Sequence, residues 1–134
     1  MGASSVNFVN QTSSTVNVAY MRANAPNCSD RCGSVWEVLG WIVLAPGGSQ
    51  SRANPDSSRW FYFYAESADG RLVWNGAYRG EVQNNRFAEC RGCILYQTRQ
   101  NGEAQSFPIP PWHLVGYVEL DTNTFGGVNL TEPV

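Results

Sequence analysis

The chain has no lysine. Its nine basic residues, all arginine, are spread singly from Arg22 to Arg99, and eleven acids bring the net charge to −2. No run of cations tracks a phosphate backbone, so nucleic-acid binding driven by counterion release is disfavoured. The chain also lacks the roughly 18 consecutive apolar residues of a membrane helix, and no membrane span is expected. No positively charged flank with a leucine-rich run marks a signal peptide. Val6 stands where a myristoylation motif wants Ser or Thr.

Catalytic signals are equally sparse. One histidine, His113, is present, so any Ser-His-Asp or Cys-His centre would have to use it. There is no Gly-x-Ser-x-Gly elbow, no Gly-x-Gly-x-x-Gly and no Walker pattern. Most of the acids fall in turns (Asp30, Asp56, Asp69) or alternate outward on strands (Glu103, Glu119), which does not suggest a facing carboxylate pair. Asp121, Asn123 and Thr124 offer oxygens but no EF-hand spacing. The chain is read as not an enzyme, without catalytic residues and with no cofactor expected except zinc at its cysteines.

What the chain has is strand signals. Val6 and Phe8, then Val16, Val18 and Tyr20, alternate with polar residues across a turn-forming stretch at 11–14, which predicts a hairpin. Residues 35–44 are apolar on both faces and end at Pro46-Gly47-Gly48. Residues 60–65, Trp-Phe-Tyr-Phe-Tyr-Ala, predict a central strand packed above and below. Asp69-Gly70 turns the chain into 71–74, and Asn101-Gly102 predicts another hairpin between 94–100 and 103–107. Late strands are expected at 114–120 and 128–130. No window carries a capped helical repeat. The expected fold is therefore all-β: a single antiparallel β-sandwich over residues 1–134, Ig-like or jelly-roll-like, with little or no helix and one shared interior.

Cys28 and Cys32 form one close pair in sequence, and Cys90 and Cys93 another. Two such pairs fit a tetrahedral zinc site, two disulfides or four free thiols. Bonds between the two loops would each close some 60 residues, worth about 3–4 kcal/mol, whereas bonds within a pair would close tiny rings.

Five Trp, six Tyr and six Phe are many for a chain in which only 15% of residues are charged. A sandwich of this size does not easily bury all of them. Trp36, Trp41, Trp74, Tyr78 and Trp112 lie at strand ends or beside Gly and Pro and are the candidates for exposure. Asn75, Gln83, Asn84 and Asn85 bring amide donors and acceptors that match sugar hydroxyls. Trp36, Trp41, Trp74, Asn75, Tyr78 and Trp112 are accordingly the candidate ligand-binding residues. Exposed aromatics would equally anchor a protein partner. Asn10, Asn27 and Asn129 each open a glycosylation sequon.

Val6-Asn7-Phe8-Val9-Asn10-Gln11-Thr12 with Val16-Asn17-Val18-Ala19-Tyr20, then Trp41 to Gly48, and Tyr62-Phe63-Tyr64-Ala65-Glu66 with Asp69-Gly70 and Trp74, together resemble a family of small all-β bacterial domains of unknown function. The family is found in cyanobacteria and proteobacteria, and the match runs over about residues 5–93. Phe87 and Cys90 fit more loosely. The resemblance rests on packing and turn residues, so it implies a β fold and carries over no functional residue. The cysteine that the family places between the final Trp and the Phe is absent between Trp74 and Phe87.

These observations lead to the expectation of a non-enzymatic, lectin-like binding module, secreted or on the cell surface, that engages a glycan or a protein surface. A structural subunit that self-assembles as a homo-oligomer through strand edges is the second expectation. A hydrolase built around His113 is the third.

Overall fold

The computed structural model describes residues 2–100 and 111–132, with 96–100 by backbone alone. The expected hairpin strand at 103–107 lies outside the described residues.

The fold is all-β with little helix. Among the described residues ten strands make two sheets. The small one orders β10 (Gly127–Leu130), β1 (Ser5–Asn10) and β4 (Ser49–Ala53). The large one orders β7 (Tyr78–Val82), β9 (His113–Asp121), β5 (Trp60–Ser67), β2 (Val16–Ala23), β3 (Trp36–Leu44) and β8 (Phe87–Cys90). The two-residue strand β6 (Val73–Trp74) pairs with the end of β5 that β9 leaves free. All pairings are antiparallel except β1 with β10, which is parallel.

The central strand is where its aromatic run puts it. β5 lies between β2 and β9, with Phe61, Phe63 and Ala65 buried on one face and Tyr62 and Tyr64 half-buried on the other. The Asp69-Gly70 hairpin also forms, with Gly70 at φ +76° and Asp69 accepting from Ser67 Oγ at 2.6 Å and from the Arg71 amide at 3.0 Å.

The expected first hairpin does not form. β1 and β2 belong to different sheets, and residues 11–15 cross from one to the other. Val6 and Phe8 therefore meet Val16 and Val18 from across an interior rather than from the neighbouring strand. Buried Asn10 holds the crossover. Its Nδ2 donates to the carbonyls of Ser14 (2.7 Å), Leu44 (2.9 Å) and Ala45 (3.2 Å), and its Oδ1 accepts from the Thr12 amide and hydroxyl. A side chain so engaged is no glycan acceptor, which removes the first sequon.

Nor is there one interior. The first core lies between the sheets and contains Phe8, Tyr20, Phe61, Phe63 and Leu130. The second lies inside the large sheet, which curls so far that β7 approaches β3 and wraps Ala19, Val38, Val82, Phe87 and Tyr117. Both faces of β2 and β5 are thus covered, which is why their sequences carry apolar or aromatic residues at nearly every position.

Residues 91–100, expected as a strand from Ile94, are a helix, α2 (Arg91–Gln100), that follows β8 directly; a single turn, α1 (Ala25–Cys28), precedes the loop to β3. The physical reason lies in cysteine spacing. The structure joins Cys28 to Cys90 and Cys32 to Cys93. Residues three apart point to opposite faces of a strand but to the same side of a helical turn. Cys90 and Cys93 can both reach the 28–32 segment only if the chain coils after Cys90. Coiling also brings Ile94 into the second core.

Candidate functional site

The two cores leave one end of the large sheet's inner face open. There, register lines up a row across four strands. Val43 on β3 sits opposite Asn17 on β2, Asn17 opposite Glu66 on β5, and Glu66 opposite Val73 on β6. Directly paired residues share a face. The valines at either end are exposed, Val43 by 63% and Val73 by 48%. An irregular segment between β7 and β8 brings in Asn84 and Arg86. The result is an open groove of about 440 Å³ lined by Asn17, Trp41, Val43, Glu66, Asn84 and Arg86, in the size range of roughly 300–1,000 Å³ that small-ligand sites occupy.

Trp41 is fixed in this groove by three contacts. Its Nε1 donates to the Gln83 carbonyl at 2.8 Å, and its ring meets Tyr64 at 6.2 Å and Phe87 at 5.8 Å, both edge to face. The Tyr64 hydroxyl donates to Glu66 Oε2 at 3.3 Å. Burial, and then the Glu66 carboxylate beside it, push the Tyr64 hydroxyl above its ordinary value, so it stays a donor. The side chains of Asn17, Asn84 and Arg86 hydrogen-bond to no side chain or backbone group among the described residues. Glu66 is the one carboxylate among the described lining residues.

The six candidate ligand residues do not converge. Trp41 lines the groove. Trp36 and Tyr78 lie at the opposite end of the curled sheet, on either side of Tyr62. Trp112 is half-buried against Phe87, with centroids 5.4 Å apart. Trp74 packs on the first core, and Asn75, which follows it, is exposed. His113 is exposed at the start of β9 and lines neither end of the sheet.

Of the groove residues, Trp41 and Asn84 were visible as an aromatic beside glycine and an amide in an Asn-rich turn. Asn17, Val43 and Glu66 were not, because only the pairing register sets them in one row. Arg86 carries no sequence signal of its own.

The four cysteines form two bonds, Cys28–Cys90 and Cys32–Cys93, and with both formed no thiolate is left to ligate zinc. They tie the 24–34 loop to β8 and α2. Disulfides of this kind are compatible with an extracellular, oxidising compartment. Beside them, buried Glu37 accepts from Arg22 Nε (2.9 Å), Asn24 Nδ2 (3.0 Å) and Asn27 Nδ2 (2.7 Å), fastening the same loop to β3. No described helix is long and apolar enough to cross a membrane.

No protein-family model, curated protein or solved structure matches this chain.

Proposed function

We propose that this chain is a non-enzymatic binding module that takes a carbohydrate into the groove at the open end of its curled sheet. One observation carries the reading: an apolar platform of Trp41 and Val43 stands beside amides and a guanidinium with no partner within the described protein. Sugars present C–H faces that pack on indole rings and hydroxyls that pair with amides, which serve as donor and acceptor together. A lone carboxylate, Glu66, held by a tyrosine hydroxyl, suits hydrogen bonding to a sugar better than the paired acid and base of hydrolysis. The disulfides support a secreted or displayed module. Self-assembly through the β4 edge is less favoured, because β4 is only five residues long and carries the charged Arg52, and short, charged edges discourage strand pairing.

The test is a glycan array followed by calorimetry of any hit. Trp41→Ala should weaken binding at least tenfold. Because Trp41 also packs on Tyr64 and Phe87, Val43→Glu is the companion variant; Val43 is mostly exposed, so the fold stays intact while the platform is blocked. An array without hits, or a hit that both variants bind as well as the wild type does, refutes the carbohydrate reading.

A further inference from the structure

The curled sheet has a second open end. There a trough of about 150 Å³ is lined by Met21, Trp36, Tyr62, Tyr78, Arg79 and Arg91. It is separate from the groove: Met21 lies four residues along β2 from Asn17, about 13 Å at the strand rise, and the buried second core fills the space between. We propose that this trough is a second binding site, for a small ligand that joins a flat aromatic ring to a carboxylate.

The rings come first. Tyr62 stands between Trp36, 5.5 Å away at 77°, and Tyr78, 5.3 Å away at 56°. Tyr78 is 46% exposed on β7. Three aromatic side chains around a hollow offer edge and face contacts to a fourth ring. They would also suit a quaternary ammonium ion, and charge decides between the two.

Two arginines are among the residues that line the same hollow. Arg91 is locked in place, with Nε on Glu81 Oε1 at 2.8 Å and Nη2 on Glu81 Oε2 at 3.3 Å and on the Arg79 carbonyl at 3.1 Å. That pairing neutralises Arg91 and the buried Glu81. Arg79 is exposed and has no acidic partner among the described residues. A further acid, Glu119, accepts from the Tyr62 hydroxyl at 2.9 Å. Glu119 keeps its charge but is not among the residues lining the hollow, so the lining itself carries the unpaired positive charge of Arg79. A guanidinium beside aromatic rings matches a planar carboxylate on an aromatic body and repels an ammonium ion.

The experiment titrates the full oxidised chain with phenylacetate, phenylacetamide and tetramethylammonium, following the tryptophan indole resonances by NMR. Phenylacetate should shift the Trp36 signal saturably and leave Trp41 in place. Arg79→Gln should weaken this response about tenfold, and phenylacetamide should bind wild type about as weakly as phenylacetate binds the variant. An unchanged Trp41 resonance in free Arg79→Gln shows that the fold persists; Tyr78→Leu, at an equally exposed edge position, provides a second loss-of-binding variant. The proposal is overturned if phenylacetate gives no saturable shift, if phenylacetamide binds equally well, if tetramethylammonium binds better, or if the shift appears at Trp41. Carbohydrate binding in the groove stands or falls separately, since it is read at Trp41.

Discussion

The two disulfides are close neighbours, and this predicts that their contributions to stability do not add. Cys28–Cys90 and Cys32–Cys93 span 62 and 61 residues. Taken alone, a bond closing such a loop restricts the unfolded chain by about 4.3 kcal/mol at 25 °C on the chain-entropy relation. Once one bond is in place the situation changes. Its partner half-cystines lie four residues away on one side and three on the other, so the second bond closes an effective ring of about seven residues. The same relation then gives about 2.4 kcal/mol. Removing either bond by a pair of Cys→Ala changes should therefore cost about 2.4 kcal/mol, because the survivor still closes the long loop. Removing both should cost about 6.7 kcal/mol, roughly 2 kcal/mol more than the two single removals together. A loss of that size is comparable with the total stability of an ordinary domain, about 5–15 kcal/mol, so the cysteine-free chain should be marginal or unfolded. Equilibrium urea unfolding of the four forms, compared at fixed temperature, measures each term. Because Cys28 and Cys90 are buried and Cys32 is exposed, loss of the first bond also loses packing and should be the costlier single removal. Single removals that each cost more than 4 kcal/mol, or a double removal equal to the sum of the singles, would refute the shared-loop reasoning.

Acid should act through Glu37. Burial pushes its carboxyl up, but hydrogen bonds from Asn24, Arg22 and Asn27 and the Arg22 charge outweigh burial and hold it below the usual carboxylate range. Its contribution is fully present above the unfolded-chain value and is lost as pH falls through the lowered folded value; Glu37→Gln should flatten the acid limb of stability against pH, and a limb as steep as wild type's would count against it. Gly116→Ala should destabilise more than Gly40→Ala when compared by thermal unfolding. A methyl at 116 meets the backbone carbonyl of Gly76, whereas at 40 it meets the Phe87 ring at 2.5 Å, wedged between Trp41 and Trp112; overpacking of the second kind costs about 1–3 kcal/mol. Phe61→Ala should cost about 3–5 kcal/mol by urea unfolding, since Phe61 is fully buried, stacked on Tyr20 at 5.8 Å and against Phe8 at 6.3 Å.

How far the sequence could be read depended on whether a signal was local. β5 announced itself through six consecutive apolar and aromatic residues, and the β5–β6 turn through Asp69-Gly70, because burial on both faces and a positive φ leave local marks. The β1–β2 crossover left none that differed from a hairpin turn; the same alternating valines serve either pairing, and only the contacts of Asn10 with Leu44 and Ala45 reveal the choice. β4 was missed because an exposed edge strand need not be apolar, and Ser-Gln-Ser-Arg-Ala reads as loop. The helix after Cys90 was encoded, but in the spacing of two half-cystines rather than in an apolar period.

The groove shows why a site can be invisible in a sequence whose fold is largely legible. Strict alternation along β3 would put Leu39, Trp41 and Val43 on one face. The observed pairing sets Val18 opposite Ile42 but Tyr20 opposite Leu39, so that β3 spends one residue more than β2 between these pairs. This bulge falls at Gly40 and Trp41. It lets Leu39 join Ile42 and Leu44 in the first core while Trp41 and Val43 turn to the other face. Gly40 makes the bulge tolerable, since a Cβ there would collide with Phe87. Beyond the bulge, Val43 comes into line with Asn17 and Glu66. A single inserted residue thus frees Trp41 from the position that alternation assigns it and sets it beside the amides, which makes β3, rather than the Asn-rich turn at 83–85, the element that builds the site.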